Sequence, residues 1–158
     1  MRANAFENRL ASEDPNARIA LVAFGSKARK LCRLTAAKQR DALHSRINQI
    51  DLEGSTNMKA GLDAALELLQ DRRRTCQVVL LTDGHNTGRS PLKVAQEIKK
   101  FAVIECVGIG GSPGDVDESL LKQIASAYPD GRKRYRWIGQ KDQLIQHFHN
   151  LAGGIRRM

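Results

Sequence analysis

Three short segments of the chain are almost uninterruptedly apolar. They cover residues 19–24, 78–81 and 103–109, and each is followed within two positions by Gly or Asp. Such runs, rich in β-branched residues, are typical of strands buried on both faces of a parallel sheet. Residues 135–138 form a fourth, more amphipathic candidate strand. Residues 30–34 are short and basic, which suits an antiparallel edge strand because charged side chains discourage further pairing.

Between these strands, apolar residues recur every three or four positions, which predicts helices that bury one face. The stripes are Met58, Leu62, Leu66 and Leu69; Leu92, Ala95 and Ile98; Leu120, Leu121 and Ile124; and Leu144, Ile145, Phe148 and Leu151. Narrower stripes predict helices over residues 3–10 and 37–47. Strands that alternate with helices predict a three-layer, doubly wound α/β fold. We expect one domain over residues 1–158, with a mostly parallel sheet and one short antiparallel edge strand.

Composition changes this picture mainly through charge. The 158 residues include 26 Lys and Arg against 17 Asp and Glu, which gives a formal net charge of +9. The basic residues concentrate at 27–33, 72–74, 132–136 and 156–157. Such a surface attracts acidic proteins, and it attracts nucleic acid without sequence preference. Aromatic residues make up only 4% and no nucleic-acid motif is present, so a basic nucleic-acid-binding domain is retained only as an alternative function.

Two further features bear on where the protein acts. No apolar run approaches the roughly 20 residues of a membrane helix, so a membrane span is not expected. The cysteines Cys32, Cys76 and Cys106 are odd in number and widely spaced, which predicts free thiols rather than disulfides. Without a signal peptide at the N-terminus, these thiols favour an intracellular location but do not establish one.

Polar loops follow the predicted strands at the edge where open α/β sheets bind ligands. They cover residues 51–57, 82–88 and 108–115. The hydroxyl of Thr56 and the carboxylate of Asp83 are oxygen donors of the kind Mg²⁺ prefers, so they are candidate ligands of one ion. The alternative is that Asp83 caps a turn and Thr56 caps the following helix. His85, beside Asp83, suggests a hydrolase-like α/β enzyme, although no Gly-x-Ser-x-Gly nucleophile elbow accompanies it.

Two of these loops carry a family resemblance. The segments GSTNMKAGL at 54–62 and VLLTDG at 79–84, with the strand at 104–110 and the helix at 117–125, resemble a von Willebrand factor A (vWA) domain. The resemblance implies a Rossmann-like fold and a metal-ion-dependent adhesion site that holds Mg²⁺. It implies that Thr56 and Asp83 are the metal ligands. It further implies a non-enzymatic interaction module that binds an Asp or Glu side chain of a protein partner.

The chain departs from this family in one respect. No Asp-x-Ser-x-Ser motif occurs in the sequence, and neither that loop nor the family's first strand is found. The resemblance therefore implies an N-terminally truncated vWA domain with a partial metal site. We expect Mg²⁺ to bind with at best millimolar affinity, because one carboxylate and one hydroxyl supply little charge.

The resemblance places the missing strand between the strands at 19–24 and 78–81. Leaving its neighbours' buried backbone groups unpaired would cost about 1–3 kcal/mol each, against a total domain stability of roughly 5–15 kcal/mol. Three arrangements avoid this cost. The flanking strands pair directly, or another chain supplies a strand through exchange or self-association, or the polypeptide is a fragment of a longer one. We expect the last.

Overall fold

The computed structural model describes residues 16–47, 54–69 and 75–154. The helix predicted over residues 3–10 lies outside them. The elements follow the predicted alternation. They are β1 (Arg18–Phe24), β2 (Ala28–Ala36), α1 (Arg40–Ile47), α2 (Met58–Leu68), β3 (Cys76–Thr82), α3 (Leu92–Lys99), β4 (Ala102–Ile109), a 3₁₀ turn (Pro113–Asp115), α4 (Glu118–Ile124), β5 (Tyr135–Ile138) and α5 (Lys141–Gly154).

The described strands form two sheets. β3, β4 and β5 pair in parallel and in chain order, which confirms the α/β fold with a parallel sheet. β1 and β2 pair antiparallel in a separate two-stranded sheet, from Arg18 opposite Ala36 to Phe24 opposite Ala28. The antiparallel strand β2 was predicted to be short, but it has nine residues, because the basic run that suggested an edge continues into the polar and small residues on both sides.

The parallel sheet and β1 do not close onto each other. Within the described residues, β1 pairs with β2 alone and β3 pairs with β4 alone. The arrangement in which the two flanking strands pair directly is therefore wrong for these residues. The two strands do not pair because the loop before α2 lies between their carboxyl ends. This loop hydrogen-bonds to the loop after β1 and to the loop after β3.

The main core lies between the parallel sheet and helices α2, α3 and α4. The predicted stripes supply it, because Met58, Leu62, Ile98, Leu121 and Ile124 are all at most 1% exposed. Leu80, Ile104 and Cys106 on the sheet belong to the same core. Burial raises the pKa of the Cys106 thiol to about 12, so this cysteine is a packing residue rather than a nucleophile.

Helix α2 also packs on β1 and β2, and a glycine permits its close approach. A Cβ added to Gly61 would lie 2.9 Å from Cγ of the Phe24 ring. This contact couples the small sheet to the helix whose N-terminus leads to the loops described below.

A second layer covers the opposite face of the parallel sheet. Leu144, Phe148 and Leu151 of α5 are buried there against Val107 and Ile138, which completes the predicted three layers. None of the described helices is long and apolar enough to cross a membrane.

This second layer contains a buried polar pair that the sequence analysis missed. Glu105 on β4 is 2% exposed and His147 on α5 is 7% exposed. Glu105 Oε1 lies 3.4 Å from His147 Nε2, and neither Glu105 Oε2 nor His147 Nε2 has a hydrogen-bond partner. The pair was missed because Glu105 stands inside an apolar run and His147 lies 42 positions later on a helix read as apolar.

Candidate functional site

Four loops meet near the carboxyl ends of the strands, and we call them together the rim. They cover residues 25–27, 54–57, 83–89 and 110–115. Two of them are joined by reciprocal hydrogen bonds between threonines. Thr87 N donates to Thr56 O at 3.0 Å, and Thr56 N donates to Thr87 Oγ1 at 3.0 Å. Ser55 Oγ lies 2.8 Å from the same Thr87 hydroxyl, so the loops before α2 and after β3 act as one unit.

Two asparagines hold the start of α2 in this unit. Asn57 is its N-cap, because its Oδ1 accepts from Ala60 N at 3.1 Å. Asn57 N also donates to Gly25 O at 2.7 Å, which attaches the loop after β1. From the other side, Asn86 Oδ1 accepts from Met58 N at 3.1 Å. The first turn of α2 is therefore fixed by side chains and loops on both sides.

Thr56 and Asp83, the predicted metal ligands, lie at the same end of the fold. The Thr56 hydroxyl lies against Gly84, since a Cβ added there would be 2.9 Å from Thr56 Oγ1. Gly84 directly follows Asp83, and Gly84 N donates to Thr82 Oγ1 at 3.3 Å in the turn that follows β3. Thr56 is half-buried, whereas Asp83 is exposed to solvent.

The donors at this point fit a hard cation in type but are few. A hydroxyl and a carboxylate are ligands that Mg²⁺ accepts, together with several waters. Across residues 16–47, 54–69 and 75–154, no group of three or more His, Cys, Asp or Glu side chains is placed to hold a metal. These two residues would hold Mg²⁺ by one negative charge, so they fit a weak site completed from outside.

His85 belongs to the rim, and its ring reaches the loop after β4. Its Nε2 lies 3.0 Å from Gly114 O, and since a carbonyl oxygen only accepts, Nε2 carries the proton and donates. In the same loop, Asp115 Oδ2 accepts from Ser112 N at 2.9 Å. The Ser112 backbone N–H, followed by its hydroxyl, holds the pKa of the Asp115 carboxyl below its usual value. His85 and Asp115 thus order the loop after β4.

Sequence reasoning named Thr56, Asp83 and His85 but assigned no role to Asn57, Asn86 or Thr87. Only one of these three residues could have been identified from a local sequence pattern. Asn and Thr in a loop directly before a helix are favoured caps, and that rule indicates Asn57. The contribution of Asn86 and Thr87 depends on a contact across about thirty positions, which no local pattern shows.

Comparisons with known proteins agree with this architecture. The family model for the von Willebrand factor type A domain matches residues 3–136. No curated protein sequence matches the chain. Three solved structures with the same fold are a von Willebrand factor type A protein from Catenulispora acidiphila, proximal thread matrix protein 1 from the mussel byssus with a zinc-occupied MIDAS motif, and the vWF domain of the type V pili tip protein Mfa5 from Porphyromonas gingivalis.

These structures share the fold at low sequence identity. The TM-scores are 0.81, 0.75 and 0.77, and the identities are 20%, 22% and 12%. The matches cover 98%, 96% and 99% of this chain, against 38%, 39% and 88% of the three structures. The chain thus spans about two fifths of the first two. Because the family model covers most of the chain, the protein belongs to the von Willebrand factor type A domain family.

Proposed function

We propose that this domain is a non-enzymatic interaction module whose rim binds a carboxylate of a protein partner. Domains of this family are generally non-enzymatic interaction modules, and the mussel structure is described with zinc in its MIDAS motif. The supporting observation in this chain is the contact between the Thr56 hydroxyl and Gly84, next to Asp83. These oxygens would hold Mg²⁺ weakly, and the bound metal would attract the partner's Asp or Glu.

Charge supports an acidic partner. The chain carries a formal net charge of +9, and Arg89 is exposed on the loop after β3. A positive surface increases the encounter rate with acidic groups and favours them over basic ones. It does so whether or not a metal is bound, so the two contributions are separable by chelation.

Replacing Asp83 by alanine is expected to abolish metal binding at Thr56 and Asp83, because it removes the only carboxylate of that pair. The probe is Mn²⁺, whose paramagnetism broadens nearby amide NMR signals. In the unmodified domain we expect broadening at residues 54–57 and 83–88 at millimolar Mn²⁺. In Asp83→Ala this broadening disappears, whereas the exposed carboxylate control Asp142→Ala keeps it.

Capture of carboxylates tests the second half of the proposal. Heptapeptides that contain one Asp or Glu should be retained by the immobilised domain in Mg²⁺ and released by EDTA or by Asp83→Ala. Matched peptides with Asn or Gln should not be retained. Retention that is indifferent to EDTA and to Asp83→Ala would contradict the proposal. A micromolar Mg²⁺ affinity measured by calorimetry would also contradict it, because the proposed site is weak.

Two other results would favour the alternative functions. Hydrolysis of an ester substrate that is lost in Asp83→Ala would favour the hydrolase-like enzyme. Retention of RNA that falls steeply with salt concentration would favour the nucleic-acid-binding domain.

We further propose self-association through the gap between β1 and β3. It is supported by the lack of a second ladder along residues 19–24 and 77–82 among the described strands and by the partial exposure of the apolar residues Leu21, Val22, Val78 and Val79. Unpaired strand edges that carry apolar side chains pair readily with another chain.

This association predicts a mass above that of the monomer that rises with protein concentration in sedimentation equilibrium. Amide hydrogen exchange should slow at high concentration in β1 and β3 and remain unchanged in β5. A monomeric mass at all concentrations, or slowed exchange in β5 instead, would exclude association through this gap.

A further inference from the structure

Three arginines alternate along the outer edge of the parallel sheet. Arg132 and Arg134 lie in a tight hairpin that leads into β5, and Arg136 lies within β5. The hairpin is closed by hydrogen bonds from Arg134 N to Ser126 O and from Tyr128 N to Arg132 O, both at 2.8 Å. Its turn uses Gly131 at a φ of +86°, a conformation that suits glycine. We call residues 132–138 the arginine edge.

One side of the arginine edge has no neighbouring strand among the described ones. β5 pairs with β4, from Cys106 opposite Tyr135 to Ile109 opposite Ile138, and it ends the sheet. Cys106 N donates to Arg134 O at 2.8 Å. Since main-chain groups of successive strand residues alternate in direction, those of Tyr135 and Trp137 point away from β4. They are available for a further strand.

Two of the three arginines on this edge have contacts that hold their guanidinium groups. Arg134 Cζ lies 4.2 Å from the centroid of the Tyr128 ring, so a cation–π contact holds its guanidinium. Arg134 Nε is buried and has no hydrogen-bond partner. Arg132 is paired with Asp130 at 2.7 Å, whereas Arg136 is exposed.

A neighbouring lysine adds to this positive field. Lys133 is exposed on the arginine edge. Partial burial, followed by the nearby Lys133 ammonium, lowers the pKa of Lys99. Lys99 and Lys133 are therefore like charges close enough to interact, and both add positive charge beside the arginine edge, which favours an anionic partner.

We propose that the arginine edge binds an extended acidic peptide segment, which pairs with β5 as an added strand. Residues two apart on a strand point to the same side, so carboxylates at alternate positions of the segment would face Arg134 and Arg136. Directly opposite side chains lie about 4.5–5.5 Å apart at Cβ, within ion-pair reach. The main chain supplies affinity in such strand addition and the alternate side chains supply specificity.

The aromatic residues of this surface favour a peptide over a nucleic acid. Single-stranded nucleic acids bind by stacking bases on open aromatic faces. Here the Tyr128 ring carries the Arg134 guanidinium, and Trp137 packs against the hydrophobic core. The same arginines discourage pairing with neutral or basic strands, so the charge that protects the edge also selects an acidic segment.

The test uses a labelled peptide of alternating Glu and Thr and an isomer with the same composition in two blocks, measured by fluorescence anisotropy in EDTA. We expect the alternating peptide to bind more tightly than the block isomer. Arg136→Glu should weaken its binding by about tenfold or more, because it replaces an attraction by a repulsion. Lys93→Glu makes the same charge change at an exposed position of α3 and should change binding by less than about threefold.

The role of the main chain has its own test. N-methylation of the alternate peptide residues whose N–H groups would point toward β5 should abolish binding. N-methylation of the residues between them, whose N–H groups would point away from β5, should not. Equal binding of the two isomers, equal weakening by Lys93→Glu, or equal effects of the two methylation patterns would overturn the proposal. So would oligo-dT that displaces the peptide at lower concentration than unlabelled peptide does. Since the assay contains EDTA, failure here is distinct from failure of the metal-dependent rim.

Discussion

Replacing His147 by alanine is expected to lower the free energy of unfolding by about 2–5 kcal/mol, because it leaves a cavity beside β4 and removes the polar group that faces the buried Glu105 carboxyl. Glu105 is 2% exposed, its Oε1 faces His147 Nε2 at 3.4 Å, and its Oε2 already lacks a partner. Removing the imidazole leaves the carboxyl buried with no polar neighbour in the pair. Urea unfolding followed by circular dichroism measures the change.

The matched control for this prediction is His149→Ala, on the same helix but only half-buried, which should cost less than about 1 kcal/mol. The double variant Glu105→Leu/His147→Leu should recover much of the lost stability, because apolar residues can replace a buried pair. Equal small losses for His147→Ala and His149→Ala would show that the pair contributes nothing to stability.

Replacing Leu62 by alanine is expected to cost about 2–5 kcal/mol, the range for truncating a fully buried leucine. Leu62 is 1% exposed and belongs to the core cluster that α2 shares with α3 and the parallel sheet. The loss combines the transfer of the removed methyl groups with the cavity that remains. Thermal and urea unfolding both report it.

Leu66 provides the comparison within α2, since it lies one turn later and is only half-buried. Leu66→Ala should cost clearly less than Leu62→Ala, because less apolar surface returns to water. A larger loss for Leu66 than for Leu62 would contradict the placement of the core. Because α2 begins at the rim, Leu62→Ala should also shift the amide NMR signals of Thr56 and Asn57.

The sequence predicted those parts of the fold in which local pattern reflects burial. The apolar run at 103–109 became β4, and the stripe through Met58, Leu62 and Leu66 became α2. The end of the molecule carrying Thr56 and Asp83 was also predictable, because loops after parallel strands share one edge of the sheet. Both predictions use information contained in short segments.

The rest depended on contacts that short segments do not contain. Glu105 meets His147 only because β4 and α5 pack with a particular register. Asn86 and Thr87 support the loop before α2 from about thirty positions away. The division into two sheets likewise depends on which strands pair with each other. The spacing of apolar residues predicts that a segment is a strand but not which strand it pairs with.

The separation of the two sheets has a mechanical consequence. A ladder of backbone hydrogen bonds resists shear along its whole length, but no ladder joins β1 to β3 among the described strands. A pulling force applied between β2 and β5 would therefore act on the packing of α2 against Phe24 and on the few bonds that Asn57 makes with the loop after β1. Among the described residues, helix α2 and the loop before it therefore carry the load between the two sheets, and under force these contacts would break before the backbone ladders of either sheet.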